Sequence, residues 1–93
     1  MAEIEVKASD KGDSYECQVT VGERGGATHH QVTLRKADYE RLAGGKATPK
    51  ALVAESFRFL LEREPKESIL RSFDLTVIGR YFPGYEREIV KRL

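Results

Sequence analysis

Three stretches of alternating apolar and polar residues fill the first third of the chain, and short runs of turn-forming residues separate them. This period of two residues is the pattern of a β-strand that buries one face and exposes the other. It predicts strands over residues 3–8, 14–22 and 28–35. Because only short turns lie between the strands, we expect them to pair in sequence order as a three-stranded antiparallel meander.

The two turns also predict how the strands are aligned. A turn at residues 11–12 sets Val6 opposite Cys17, and a turn at residues 25–26 sets Cys17 opposite Leu34. Both registers place the large apolar side chains on one face of the sheet. On the other face they predict a ladder of alternating charge formed by Lys7, Glu16 and Arg35.

The rest of the chain has the spacing of amphipathic helices. The clearest is residues 49–63, which follows the helix-capping residue Thr48 and has Pro49 in its first position. Its predicted inward face consists of Leu52, Val53, Ser56, Phe57, Leu60 and Leu61. Shorter helices are predicted over residues 37–43, 66–73, 75–82 and 85–92. These elements predict a single α+β domain, residues 1–93, in which the long helix covers the apolar face of the sheet.

Composition limits the classes of function that the chain can have. Of its 93 residues, 40% are hydrophobic and 33% are charged, which is the balance of a globular domain. The net charge of +1 excludes a strongly basic tail of the kind that binds nucleic acid. The sequence has no apolar run of about 18 residues and no secretory signal, so we expect no membrane association and a cytoplasmic location.

Few residues have the pattern of a chemical site. Cys17, His29 and His30 are the only thiol and imidazoles of the chain. Neighbouring residues of a strand point to opposite faces, so the two histidines are not expected to converge with Cys17 on a metal ion. Most carboxylates of the helical part are interleaved with Lys and Arg, which is typical of a solvated helix surface. We therefore expect no metal, no cofactor and no catalytic residue.

An aromatic cluster late in the sequence is the strongest candidate for a binding site. Tyr81, Phe82 and Tyr85 surround residues 83–84, a Pro-Gly pair, and Arg80 precedes them. Tyr and Arg are favoured residues of protein interfaces, so these four residues are the candidate partner-binding site. The alternative interpretation is that Phe82 and Tyr85 pack in the core, because small domains bury most of their aromatic side chains.

A second candidate comes from residues 29–61, which pass from an alternating strand to a helix, a Gly-containing turn with Thr48, and a helix with a late aliphatic pair. This order resembles that of the ribbon-helix-helix repressors and antitoxins. In that family the strands of two copies pair and enter the DNA major groove. The resemblance implies a DNA-binding dimer in which the base-reading side chains are Gln31, Thr33 and Arg35.

The sequence therefore leaves three hypotheses, which differ in the partner of the chain. The first is a small cytosolic binding or scaffold module without catalysis, which binds a protein partner or pairs with a second copy through the edge at residues 28–35. The second is the DNA-binding regulator. The third is a small ligand-binding protein or enzyme with a pocket between the sheet and the C-terminal helices, near Cys17, His30 or Tyr81.

Overall fold

The computed structural model describes residues 2–93, and its architecture is of the α+β class that the sequence predicts. Two single turns of 3₁₀ helix, Lys66–Ser68 and Leu75–Val77, interrupt its second half. The other elements are, in chain order, β1 (Glu3–Asp10), β2 (Ser14–Glu23), β3 (Gly26–Arg35), α1 (Lys36–Leu42), α2 (Pro49–Leu61), β4 (Ser72–Asp74), α3 (Ile78–Tyr81) and α4 (Tyr85–Arg92). No helix within residues 2–93 is long and apolar enough to cross a membrane.

The sheet has four strands in the order β1-β2-β3-β4, one more than the sequence predicts. The first three form the expected antiparallel meander. The fourth, β4, runs parallel to β3 and pairs with it over residues 31–33. The sequence predicts that the edge at residues 28–35 is open to a second copy. This prediction is wrong for residues 31–33, which already pair with β4.

Both hairpins are slipped by two residues from the predicted registers. Val6 lies opposite Val19 instead of Cys17, and Cys17 lies opposite Val32 instead of Leu34. The reason is in the turns. Residues 11–14 form a longer first connection, in which the N–H of residue 11 donates to the carbonyl of residue 14 at 2.8 Å. The second turn lies at residues 24–25 instead of 25–26, and both Gly25 and Gly26 take a positive φ there, at 93° and 157°. A slip of two residues leaves every side chain on its predicted face.

The slip removes the predicted charge ladder of Lys7, Glu16 and Arg35. Glu16 instead accepts hydrogen bonds from Gln31 Nε2 at 3.1 Å and from Thr33 Oγ1 at 2.9 Å. The guanidinium of Arg35 lies 3.4 Å from a carboxylate oxygen of Asp74. Polar side chains thus bind one another along the face of the sheet that carries no helix.

The predicted helix over residues 66–73 is wrong. That segment contains a 3₁₀ turn and then the extended strand β4, because its backbone pairs with β3: the N–H of Gln31 donates to the carbonyl of Arg71 at 2.7 Å. The predicted helix over residues 75–82 begins as a 3₁₀ turn capped by Asp74, which accepts from the N–H of Thr76 at 3.0 Å. Strand pairing, a non-local interaction, overrides the local helical spacing here.

Helix α2 is buried on two sides because it lies between the sheet and α4. Phe59, which the sequence places outside the inward face, is only 1% exposed and packs edge-to-face on Tyr85 with ring centroids 5.3 Å apart. Leu61, which the sequence places inward, is half-buried. Ser56 links the layers: its hydroxyl donates to the carbonyl of Leu52 at 2.8 Å, so Tyr85 OH is the donor in their 2.6 Å hydrogen bond.

Ion pairs connect α4 to α1 and to the end of α2. Arg92 of α4 binds Glu62 at 2.8 Å, just after the last residue of α2. Arg41 of α1 binds Glu86 at 2.6 Å. These contacts lie at the two ends of α4, beside the core contact of Tyr85 with Phe59.

The two-sided burial of α2 makes Phe59 more important to stability than Leu61. We expect Phe59→Ala to lower the free energy of unfolding by about 3–5 kcal/mol, because it leaves a cavity between α2 and α4. The matched variant Leu61→Ala should cost only about 1 kcal/mol, since that side chain is half-buried. Urea denaturation of both variants measures this difference, and a larger loss for Leu61→Ala would contradict the packing described.

Candidate functional site, an apolar groove beside the fourth strand

A groove of about 330 Å³ opens between the end of α2, the segment that leads into β4, and α3. Most of its lining is apolar, with two hydroxyl groups and one carboxylate. The lining residues are Leu60, Glu64, Ser68, Ile69, Leu70, Phe73, Val77, Ile78, Tyr81 and Phe82. An apolar concave surface with few polar groups is the usual form of a binding site.

A buried histidine positions one wall of the groove. His30 is 3% exposed, and its Nδ1 lies 2.7 Å from the carbonyl oxygen of Leu70. That oxygen can only accept, so Nδ1 carries the hydrogen, and the neutral ring accepts at Nε2 from Thr28 Oγ1 at 2.8 Å. Burial lowers the pKa of His30 below its usual value of 6.5. The neutral ring therefore holds the segment that contains Leu70 against β3.

Two large side chains of the groove are exposed. Leu70 is 46% exposed and Tyr81 is 67% exposed, which is unusual in a chain that buries nearly all its other large apolar residues. Both line the groove, one from the segment before β4 and one from the last residue of α3. Exposed apolar side chains beside a concave apolar surface are typical of a protein interaction site.

Glu64 is the only charged residue of the lining. It is half-buried, and its carboxylate makes no ion pair with any side chain of residues 2–93. The neighbouring Glu62, by contrast, is bound by Arg63 and Arg92. Glu64 therefore gives the groove an uncompensated negative charge at its edge.

The structure separates the four residues of the predicted partner-binding site. Tyr81 and Phe82 both line the groove. Tyr85 is fully buried and belongs to the core, where burial raises the pKa of its hydroxyl. Arg80 is exposed, but it is not part of the lining. The four residues therefore do not form one surface. Tyr85 packs in the core, which is the alternative interpretation given for it above.

The three residues of the predicted DNA-reading strand lie together on the sheet face that carries no helix. Gln31 and Thr33 bind Glu16, and Arg35 pairs with Asp74. All three therefore already have a carboxylate partner within the chain. Since β3 is paired by β2 and by β4 at residues 31–33, it does not offer the open ribbon that the resemblance implies.

The other singled-out side chains lie apart from the groove. Cys17 is buried in the sheet, and burial raises the pKa of its thiol to about 11. His29 is exposed on the opposite face from His30, with its Nδ1 3.3 Å from Thr20 Oγ1. Within residues 2–93, no three His, Cys, Asp or Glu side chains come together in a way that could hold a metal ion.

Sequence reasoning missed the part of the groove that comes from residues 69–73. Helical spacing placed Ile69, Leu70 and Phe73 on one inward face, whereas the extended backbone buries Ile69 and exposes Leu70. The available signal was the polar-apolar alternation of residues 72–74, which is the period of a strand. Three residues are too few for that signal to outweigh the helical pattern around them.

The neutral state of His30 makes stability depend on pH. Because burial lowers its folded-state pKa below 6.5, the unfolded chain binds a proton below pH 6.5 that the folded chain does not. The contribution of His30 to the free energy of unfolding is fully present above pH 6.5 and is lost as the pH falls toward the folded-state pKa. Urea denaturation between pH 7.5 and pH 5.5 should show this loss.

Two variants assign the pH dependence to one ring. His30→Gln keeps a donor and an acceptor but cannot titrate, so we expect its stability to change little over this range. His29→Gln, at the exposed neighbour, should keep the dependence of the parent chain. An equal pH dependence in the parent and in His30→Gln would show that other groups cause it.

Comparisons with known proteins assign no family to the chain. No protein-family model matches it, no curated protein is significantly similar to it in sequence, and no solved structure matches it significantly in fold. The likeness of residues 29–61 to the ribbon-helix-helix proteins thus depends on the pattern of those residues alone.

Proposed function

We propose that this protein is a non-catalytic protein-binding module whose groove binds a short segment of a partner. The segment inserts one large apolar side chain and carries a Lys or Arg beside it. The observation that supports this most strongly is the combination of exposed Leu70 and Tyr81 with the lone carboxylate of Glu64 in one lining.

The size of the groove favours a side chain over a whole small molecule. Its volume of about 330 Å³ is near the lower limit of the roughly 300–1,000 Å³ that pockets for drug-sized ligands occupy. One or two large apolar side chains of a peptide fill such a space. The rest of the peptide then lies over the exposed rim, where Leu70 and Tyr81 contact it.

The apolar lining supplies the affinity in this proposal. A large side chain that moves from water into the groove covers Ile69, Phe73 and Phe82 and removes part of Leu70 and Tyr81 from water. Burial of apolar area stabilises a complex by about 25 cal/mol per Å² before the costs of association. Tyr, which lies at the rim, is one of the residue types enriched among the side chains that contribute most to binding energy in interfaces.

Glu64 supplies the selectivity for a basic neighbour. A half-buried carboxylate without an internal partner is desolvated further when an apolar segment covers the groove. A cation in the partner offsets that cost, whereas an acidic residue in the same position adds repulsion. The predicted recognition element is therefore an apolar anchor with a basic residue next to it.

Selection from a library of random 12-residue peptides, with the immobilised full chain as target, tests the proposal directly. We expect the enriched peptides to share one large aliphatic or aromatic residue next to Lys or Arg. Leu70→Ser and Tyr81→Ser should each weaken binding of these peptides by about tenfold, because both side chains are rim contacts. Fluorescence anisotropy with labelled peptides measures the affinities.

Val90→Ser is the matched control, since Val90 is 41% exposed on α4 and does not line the groove. It should bind the peptides as the parent chain does. The proposal is wrong if no peptide is enriched or if the groove variants bind as well as Val90→Ser. Binding of small aromatic compounds alone, seen as shifts of the Leu70 and Tyr81 resonances, would indicate a small-molecule pocket instead.

The charge of Glu64 gives a separate prediction. Glu64→Gln keeps the size of the side chain and removes its charge, so the selected peptides should bind about threefold more weakly. The salt dependence of their affinity should also decrease, because screening then has one fewer attraction to weaken. Titrations at 50 and 300 mM NaCl measure both effects, and an unchanged affinity and salt dependence would exclude Glu64 from recognition.

A further inference from the structure

Strand β1 leaves one edge of the sheet unpaired. Its only strand partner is β2, and none of the backbone hydrogen bonds outside regular elements in residues 2–93 involves residues 3–10. Helix α2 covers β1 on the core side. The outer edge of β1 therefore presents backbone N–H and C=O groups that another strand could pair.

We propose that this edge pairs with the same edge of a second copy, antiparallel and across a two-fold axis at Val6. The two four-stranded sheets then continue as one. A two-fold axis perpendicular to the sheet keeps the core faces of both copies on the same side, which is the closed, self-complementary arrangement of a symmetric dimer. This surface is separate from the groove, and the inference does not depend on the function proposed for the groove.

Charge complementarity selects this register. With Val6 on the axis, Glu5 lies opposite Lys7 of the partner subunit, and the pair occurs twice. Glu3 lies opposite the partner's Ser9, and on the core side half-buried Ile4 lies opposite the partner's exposed Ala8. Glu5 and Lys7 are exposed and make no ion pair with any other described side chain, so both are available for these contacts.

The neighbouring registers are disfavoured. A slip of two residues in one direction places Glu5 opposite the partner's Glu5, at the same time as it places Glu3 opposite Lys7 of the partner subunit. A slip in the other direction places Lys7 opposite the partner's Lys7. Like charges directly opposite each other destabilise a strand pair. A slip of one residue places core-facing side chains of one copy opposite solvent-facing side chains of the other. Among these registers, only the one centred on Val6 has two attractive pairs and no like-charge pair, and it also keeps the core-facing side chains of the two copies on one side.

Charge reversal with rescue tests the pairing. Sedimentation equilibrium of the full chain should show a concentration-dependent dimer. Glu5→Lys places a lysine opposite Lys7 of the partner subunit at two symmetry-related positions. Lys7→Glu places a glutamate opposite Glu5 of the partner subunit in the same way. Each variant should therefore weaken dimerisation by about tenfold. The double variant Glu5→Lys/Lys7→Glu exchanges the charges and should restore the affinity of the parent chain.

Both substitutions are at exposed positions, so circular dichroism should show the same fold in all three variants. A parent chain that stays monomeric to millimolar concentration overturns the proposal. A dimer that the single reversals do not weaken, or that the double variant does not restore, overturns it as well. Loss of the dimer in Leu70→Ser alone would place self-association in the groove and not at β1.

Discussion

The hydrogen bond between His30 and the carbonyl of Leu70 is the contact on which the second half of this fold depends. It joins β3 to a segment 40 residues later in the chain, and the adjacent bond from Gln31 to Arg71 extends the contact into strand pairing. These two bonds, together with the pairing of residues 72–74 along β3, hold this segment extended. In this conformation Leu70 is exposed, and both Leu70 and Phe73 line the groove.

This contact also explains which parts of the structure the sequence could predict. The meander, the long helix α2 and the side of the sheet that each residue faces follow from local periodicity, and all three are present. The strand β4 depends on a bond between residues far apart in sequence, and its one local signal, the alternation of residues 72–74, is too short to outweigh the helical spacing around it. The burial of Phe59 was missed for the same reason: α4 covers a side of α2 that helical spacing alone assigns to solvent.

The candidate site was predictable only in part. Tyr81 and Phe82 were identified by residue type and clustering, and they line the groove. Tyr85 belongs to the same cluster in sequence, yet its hydroxyl reaches Ser56 and its ring packs on Phe59, so it is a core residue. A turn at residues 83–84 separates the two roles. Residue type alone does not reveal such a division, because it depends on where the chain turns.

Protection of the Gln31 amide from hydrogen exchange, measured by NMR at pH 7.5, tests the fourth strand most directly. We expect slow exchange, because this N–H donates to the carbonyl of Arg71. The amide of His29, two residues earlier on the same edge of β3 and beyond the end of β4, should exchange fast. In a three-stranded meander both amides would point to solvent, so equally fast exchange at Gln31 would contradict the docking of β4 and the groove built on it.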